Sequence, residues 1–210
     1  MNSFIAYSIR TTNSGFGFVL RASARVFVRS KWIKLHEQLL LERRRIVFQE
    51  GVARGMLSVA LVACEDNRFL EHRGIDFYSI VRACVRFSSR HSIEGASTIT
   101  QQLVRVYTKD YQFNLQRKLR EVLLATLVDS HFSKEDQISL YLARAYFGWR
   151  MSGLKQVSDR LGYCPPYSAH QAAEIVSRLK YPEPRITGTK RSHQIANRVQ
   201  HVLSLIGNSE

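Results

Sequence analysis

The sequence predicts a mainly α-helical fold, and three observations support this prediction. Apolar residues occur in helix-length runs, of which Met56–Cys64 is the clearest. Thr98 and Ser133 are each followed, three residues later, by a side chain that completes a capping box, which is a helix-start signal. No stretch alternates apolar and polar residues over the length of a strand, and no internal repeat is visible.

Length and composition limit the possible classes of protein. A chain of 210 residues is one domain, or one domain with a small lobe, and buries a core without disulfide support. Its 3 cysteines lack CxxC spacing and predict neither a disulfide framework nor a structural metal site. The net charge of +14 favours anionic partners. Because zinc-finger, basic-zipper and RNP-like patterns are missing, we expect no nucleic-acid partner.

The first fifty residues carry the weakest signals. Their apolar patches are interrupted by arginines, so no run approaches the ~20 apolar residues of a membrane span, and no signal peptide is evident. We therefore divide the chain into an amino-terminal arm, residues 1–50, and a main domain, residues 51–210. The interleaved arginine and aromatic residues suit contact with an anionic membrane surface, and a loosely docked arm explains them equally well. Within the arm, Leu35–Phe48 predicts a helix.

A carboxylate pair follows the first core helix. The apolar run Met56–Cys64 leads directly into Glu65 and Asp66, and residues 72–74 have the composition of a helix end. Phe69, four residues after Glu65, would share its helical face. A carboxylate that loses hydration becomes a stronger base, as proton abstraction near neutral pH requires. The alternative is that the two acids only solvate a helix terminus.

Residues 77–96 predict a helix followed by a polar, mobile loop. Arg82, Arg86 and Arg90 recur every four residues and form a basic stripe, which suits a phosphate-rich surface or is an ordinary solvated face. After the loop, Ser97 and Thr98 begin a helix. Free N–H groups at such a start favour an anion, although plain capping explains the same residues.

Arg117, Lys118 and Glu121 fall on one side of a further predicted helix. The opposite side, which we expect to be buried, carries Leu115, Leu119, Val122 and Leu123. The two cations would keep Glu121 ionised, in contrast to Glu65, so the two acids would have different roles. An ordinary ion pair between residues 117 and 121 is the simpler alternative.

The remaining elements follow in order. Apolar residues between Leu123 and Val128 occupy nearly the whole helical circumference, so this helix should be central. Further helices are predicted to carry residues 138–147, 169–179 and 197–205, and prolines interrupt the chain between them.

Taken together, these segments resemble the motifs of the peptidoglycan glycosyltransferases, the transglycosylase family of class A penicillin-binding proteins and their monofunctional relatives. The similarity covers about residues 52–184, and its most specific part is the run Ser97–Gln102. The motifs are, in order, residues 65–69 with His72 and Gly74, residues 95–102, residues 117–121, residues 140–142 with 147–148, and residues 178–179 with Pro182.

The resemblance implies a lysozyme-like large lobe and a smaller, membrane-facing jaw lobe. It implies an enzyme that polymerises lipid II into glycan strands and releases the lipid pyrophosphate. Since no penicillin-binding domain fits in this length, we expect a monofunctional enzyme. Its partners would be lipid II, the growing glycan chain and an anionic membrane surface. The expected location is the outer face of the bacterial cytoplasmic membrane, as a peripheral protein, which conflicts with the lack of a clear signal or anchor.

The resemblance also implies roles for individual residues. Glu65 would be the general base acting on the acceptor 4-hydroxyl, and Glu121 the second acid. No cofactor would be required, although a divalent cation, magnesium or manganese, could assist at the pyrophosphate near Asp66. The residues expected to bind substrate are Asp66, Ser97, Thr98, Gln101, Gln102, Arg105, Arg117 and Lys118.

Two positions depart from the family pattern. Ala143 stands where the family has an asparagine, and Phe113 stands near a position where relatives carry a basic residue that would grip the donor. Lys109 is the nearest residue that could compensate. Two alternatives therefore stay open: a lysozyme-like lytic enzyme acting on peptidoglycan, and a catalytically weak basic binding protein.

Overall fold

A computed structural model describes residues 26–47, 55–81, 97–186, 188 and 190–207. The described chain is mainly helical, which confirms the predicted fold class, and its only sheet is one small pair of strands. In chain order the elements are α1 (Arg29–Val47), α2 (Met56–Glu65), α3 (Ile99–Thr108), α4 (Leu115–His131), α5 (Lys134–Arg144), β1 (Tyr146–Gly148), β2 (Met151–Ser152), α6 (Leu154–Leu161), α7 (Ala169–Lys180) and α8 (Lys190–Gly207).

Two groups of helices build the core. In one group α3 packs against α4 and α5, and in the other α2 packs against α7 and α8. Every residue of α4 from Leu123 to Val128 is buried, so this helix is central, as its all-round apolar pattern predicted. Residues 82–96, which include the basic stripe and most of the expected jaw lobe, lie outside the described residues.

Helix α1 belongs to the folded body. Leu35 and Leu39 are fully or almost fully buried, and the helix contacts α3, α4 and α5. Two ion pairs join it to α5: Arg43 Nε lies 2.9 Å from Asp136 Oδ1, and Arg144 Nη2 lies 2.6 Å from Glu42 Oε2. The helix predicted over residues 35–48 is therefore present and begins earlier. The domain boundary at residue 50 stays a prediction, since residues 48–54 are not described.

Helix α2 ends at Glu65, so the predicted helix end at residues 72–74 is wrong. Asp66 leaves the helical region with φ −161° and ψ 73°, and the chain turns, with the Phe69 N–H donating to the Asp66 carbonyl over 2.9 Å. Consequently Phe69 does not share a helical face with Glu65; it is fully buried in the core. The physical reason is that the Asp66 carboxylate finds hydrogen-bond donors outside the helix.

The orientation of α4 at its amino-terminal end also differs from the prediction. Leu115 and Leu119 are 85% and 55% exposed, whereas Glu121 is 3% exposed. The charged side of these turns faces inwards because basic side chains surround Glu121 and compensate its charge. The expectation that the opposite side is buried is therefore wrong for Leu115 and Leu119, whereas Leu123 is buried and Val122 is half-buried.

A short hairpin follows α5. Strands β1 and β2 pair antiparallel with Tyr146 opposite Ser152, so the helix predicted to carry residues 138–147 ends at Arg144 instead. Gly148 has φ 139°, and a Cβ there would collide with the backbone of Glu183. Only glycine permits this close approach, which fixes the hairpin against the segment after α7.

The predicted helix starts at Thr98 and Ser133 are confirmed, but the capping box predicted for Thr98 with Gln101 is only half formed, because Gln101 Oε1 accepts from Lys118 Nζ instead of the Thr98 N–H. Ser133 and Asp136 form both halves of a capping box at α5. At α3 the Thr98 hydroxyl accepts from the Gln101 N–H over 3.2 Å and donates to the Gly74 carbonyl over 2.8 Å. Among the helices of the described residues, none combines the length and the apolar character that a membrane span needs.

Candidate active site

Helix α3 carries neighbouring side chains that reach two different acids. Gln102 Nε2 donates to Glu65 Oε2 over 3.3 Å. Gln101 Oε1 accepts from Lys118 Nζ over 2.8 Å, and Lys118 in turn contacts Glu121. The short helix between Thr98 and Thr108 therefore connects the two acids that the sequence singled out.

Glu65 sits at the carboxyl end of α2 and is largely shielded. Arg198 Nη2, from α8, lies 3.5 Å from Glu65 Oε1, and the two side chains are 13% and 16% exposed. The same guanidinium donates to the Cys64 carbonyl over 3.2 Å. Arg198 could not be predicted from the sequence, because no local pattern relates two residues on helices so distant in the chain.

Two neutral groups border Glu65. Burial, followed by the Glu65 charge, raises the pKa of the Cys64 thiol to about 11, so this thiol stays protonated near neutral pH. Burial and the Glu65 charge likewise raise the pKa of Tyr141. The Tyr141 hydroxyl donates to Gln102 Oε1 over 2.7 Å, which leaves the amide nitrogen of Gln102 directed at Glu65.

Asp66 has partners within the protein. Its Oδ1 and Oδ2 lie 3.1 and 3.0 Å from His72 Nε2, and Oδ2 accepts from the Ile99 N–H over 3.0 Å. The side chain is 5% exposed. Asp66 thus fixes the start of α3 against the turn after α2.

Glu121 is the centre of a cationic cluster. Arg105 holds both of its oxygens, with Nε 3.0 Å from Oε2 and Nη2 3.0 Å from Oε1. Lys118 Nζ lies 2.7 Å from Oε1, and Arg117 Nη1 contacts Oε2. The i,i+4 pair of residues 117 and 121 is present, and the tertiary structure adds Arg105 from another helix.

The cluster changes the ionisation of its members. Burial alone would raise the pKa of Glu121, but hydrogen bonds from Arg105 and Lys118 outweigh burial and lower it, which confirms that Glu121 is kept ionised. Burial lowers the pKa of Lys118, and Glu121 only partly offsets this effect. The hydrogen bond to Glu121 raises the pKa of Arg105. One acid therefore holds three cations together at a net positive charge.

The start of α3 contributes polar groups to this cluster. Ser97 Oγ lies 3.1 Å from Lys118 Nζ and 3.3 Å from Arg105 Nη2. Gln101 is fully buried, and its Nε2 has no hydrogen-bond partner among the described residues. A buried donor without a partner is energetically costly, and here it lies beside the cations rather than in the apolar core.

The structure thus assembles the predicted residues into two groups joined by α3. Gln102 and Asp66 lie with Glu65 or at the turn beside it. Thr98 is buried as the N-cap of α3, where its hydroxyl contacts the Gly74 carbonyl and the Gln101 N–H instead of either acid. The other predicted ligands lie with Glu121. Such an arrangement can take a proton at the first group and stabilise an anion at the second. The second group consists of Ser97, Gln101, Arg105, Arg117, Lys118 and Glu121.

The two departures from the family pattern have different surroundings. Phe113 is fully exposed in the segment before α4. Lys109, the candidate to compensate for it, is exposed at the left-handed end of α3 with φ 52°. Ala143 is half-buried in α5, and its carbonyl oxygen lies where a Cβ on Gly153 would collide. Nothing in these contacts replaces the missing asparagine side chain.

Comparison with known proteins agrees with the motifs. The family model Transglycosylase matches residues 34–206, most of the chain. Penicillin-binding protein 1A of Escherichia coli (strain K12) is 40% identical over 114 residues, covering 54% of this chain and 13% of that protein.

Two further relatives show similar coverage. Penicillin-binding protein 1A of Rickettsia bellii (strain RML369-C) is 34% identical over 119 residues, 55% of this chain and 15% of the relative. Penicillin-binding protein 1B of Buchnera aphidicola subsp. Baizongia pistaciae (strain Bp) is 40% identical over 108 residues, which cover 51% of this chain and 14% of the relative. The chain therefore matches only a small part of each of these longer proteins. Since the family model spans most of its length, this chain belongs to the transglycosylase family.

Proposed function

We propose that this protein is a peptidoglycan glycosyltransferase that polymerises lipid II into glycan strands. Glu65 removes the proton from the 4-hydroxyl of the acceptor sugar, and that oxygen bonds to the anomeric carbon of the lipid-linked donor chain. The bond from this carbon to the pyrophosphate breaks, and the lipid pyrophosphate leaves with the bonding electrons. Glu65 suits the base because it is largely shielded and because, besides Arg198 at 3.5 Å, it borders Cys64 and Tyr141, which stay neutral.

The observation that carries the proposal is the group of three cations around Glu121. A departing pyrophosphate gains negative charge as the bond breaks, and Arg105, Arg117 and Lys118 are already ordered to receive it. Charges ordered in advance do not have to reorganise during the reaction, which makes them effective.

Glu121 has a positioning role in this proposal. Both of its oxygens are engaged and its charge is stabilised by three cations, so it holds them in place rather than exchanging protons. The proposal thus gives the two acids different roles, base for Glu65 and positioning for Glu121.

A divalent cation does not fit the Asp66 carboxylate. Both of its oxygens already contact His72, and Oδ2 also accepts from the Ile99 N–H. Among the described residues, no cluster of three or more histidine, cysteine or acidic side chains is suited to hold a metal. No step proposed here passes through a metal ion.

We further propose that the protein contacts an anionic membrane at the outer face of the bacterial cytoplasmic membrane, where its lipid-linked substrate would lie. Four large apolar side chains are exposed close together in the chain at the start of α4, and Lys109 precedes them. Exposed apolar groups beside basic ones suit a lipid interface. They are Tyr111, Phe113, Leu115 and Leu119, which are 64%, 107%, 85% and 55% exposed.

Vesicle co-sedimentation tests this contact. Phe113→Gln and Leu115→Gln should reduce binding to phosphatidylglycerol vesicles. Leu70→Gln, at a residue that is 76% exposed elsewhere, is the matched control and should bind normally. Equal binding by all three variants would refute the proposed contact surface.

Polymerisation of purified lipid II tests the activity. The wild-type protein should lengthen glycan chains, and Glu65→Gln should abolish chain growth while keeping the wild-type circular-dichroism spectrum. Glu71→Gln is the matched control, since this carboxylate is 62% exposed and pairs only with Arg68 among the described residues. Undiminished growth by Glu65→Gln would remove Glu65 as base. Release of soluble fragments from finished cell wall, without chain growth, would instead identify a lytic enzyme.

A further inference from the structure

Three arginines surround the indole ring of Trp149. The guanidinium carbons of Arg150, Arg160 and Arg185 lie 4.5, 5.1 and 5.7 Å from the ring centroid. We call these four residues the arginine cluster. Neither the proposed base nor the cations around Glu121 include any member of it, so the proposed reaction does not account for the arrangement.

The three arginines come from three separate segments. Arg150 lies in the turn of the hairpin β1–β2, Arg160 in the last turn of α6, and Arg185 in the segment after α7. Only folding brings them to one ring. Isolated arginines on a protein surface are common, but three arginines from separate segments around one ring are not explained by surface composition alone.

The scaffold beneath the cluster is well fixed. The Trp149 N–H donates to the Glu183 carbonyl over 2.9 Å, and the Glu183 N–H donates to the Phe147 carbonyl over 2.9 Å. Arg150 itself adopts φ 56°, a left-handed conformation that is unfavourable for a residue other than glycine. The hairpin segment that carries Trp149 is therefore hydrogen-bonded directly to the segment that carries Arg185.

The positive charge of the cluster is not compensated by carboxylates. All three arginines are exposed, and within the described ranges none of them forms an ion pair with an acid. Because a ring has two faces, at least two of the guanidinium groups share a face, where their like charges repel. Attraction between the guanidinium groups and the ring offsets this repulsion only in part. An anion that bridges two of the arginines would relieve the remainder.

We propose that the arginine cluster is a binding site for phosphate groups, separate from the proposed active site. The planar guanidinium fork matches the oxygens of a phosphate and binds them in pairs. A ligand with several phosphates, or a surface that displays them, can engage more than one arginine at once. A soluble oligophosphate and the headgroup of an anionic phospholipid both offer this chemistry.

Tryptophan fluorescence reports binding directly. The sequence contains 2 tryptophans, so Trp32→Phe leaves Trp149 as the single tryptophan. Titration of this protein with inorganic tripolyphosphate, at constant ionic strength, should give a saturable change in emission. In the same background Arg160→Gln and Arg185→Gln should each weaken binding about tenfold, as loss of a charge-assisted bidentate contact predicts. Arg44→Gln, which removes an exposed charge from α1, is the matched control and should bind with unchanged affinity.

Vesicles distinguish the source of the phosphate. Binding to phosphatidylglycerol vesicles but not to tripolyphosphate, with the same dependence on Arg160 and Arg185, would support a lipid headgroup; the reverse would support a soluble oligophosphate. Phosphatidylcholine vesicles control for binding that needs no net negative charge. The proposal fails if neither probe binds, or if both probes bind Arg160→Gln and Arg185→Gln as tightly as the parent and the Arg44→Gln control.

Discussion

Arg105 and Glu121 form a two-point ion pair, with Nε 3.0 Å from Oε2 and Nη2 3.0 Å from Oε1. The pair joins α3 to α4 and lies at the centre of the cations that we expect to receive the leaving group. Because Glu121 is 3% exposed, the pair is shielded from water and its loss has measurable consequences.

Glu121→Gln should lower the free energy of unfolding by about 3 kcal/mol, since removal of one partner leaves buried charges uncompensated. Urea denaturation at pH 7 measures the change. Glu37→Gln alters an exposed acid on α1 and should change the free energy by less than about 0.5 kcal/mol. If the two variants were equally stable, the charge cluster would not contribute to folding.

The stability supplied by Glu121 should also depend on pH. Its pKa in the folded protein is lower than the ordinary value of 4.5 because of its cationic partners. The unfolded chain therefore binds the proton more readily, so this contribution is complete above pH 4.5 and declines as the pH falls through the lowered folded pKa. Urea denaturation between pH 7 and acid should show Glu121→Gln and wild type converging at low pH. A constant difference would contradict this linkage.

Lys118→Arg should move the alkaline limit of polymerisation to higher pH. Burial lowers the pKa of Lys118 below its ordinary value of 10.5, so its charge is lost earlier than that of an exposed lysine. Arginine stays charged throughout this range. The measurement is the pH at which the rate falls on the alkaline side of a pH–rate profile. The maximum rate is less informative, because it also depends on how arginine contacts Ser97 and Gln101. Coincident limbs would show that the Lys118 charge does not limit the reaction.

Thr98→Ala should destabilise the protein by about 1–3 kcal/mol, because it leaves the Gly74 carbonyl and the Gln101 N–H without their hydroxyl partner. Thr98→Ser keeps the hydroxyl and should lose much less. Thermal denaturation compares the two variants. Equal losses would assign the effect to the threonine methyl group instead.

Cys64 should react slowly with iodoacetamide at pH 8, since burial raises its pKa to about 11 and leaves only about 0.1% thiolate. Cys164 is exposed and should be alkylated before Cys64. Peptide mapping by mass spectrometry measures both sites, and unfolding in urea should remove the difference. Cys64 is adjacent to Glu65. If Cys64 reacted faster than Cys164 in the folded protein, the shielded surroundings assigned to Glu65 would be contradicted.

Features that depend on near neighbours could be predicted from the sequence. The capping box of Ser133 with Asp136 and the pairing of Arg117 with Glu121 involve residues within about one helical turn, where spacing alone determines which side chains meet. Where the prediction failed, a distant group was involved. Helix α2 ends at Glu65 because Asp66 contacts His72 and the start of α3, and no pattern near Asp66 indicates that.

The sequence by itself determined that this chain is mainly helical and which motifs place it among the transglycosylases, since capping, helical spacing and motif order are local properties. Only the tertiary structure decided which side of α4 is buried and that Arg105 completes the cluster around Glu121. It alone placed Arg198 beside Glu65 and three arginines around Trp149. These contacts depend on how helices pack, because burial and charge compensation are set by groups that lie far apart in the chain.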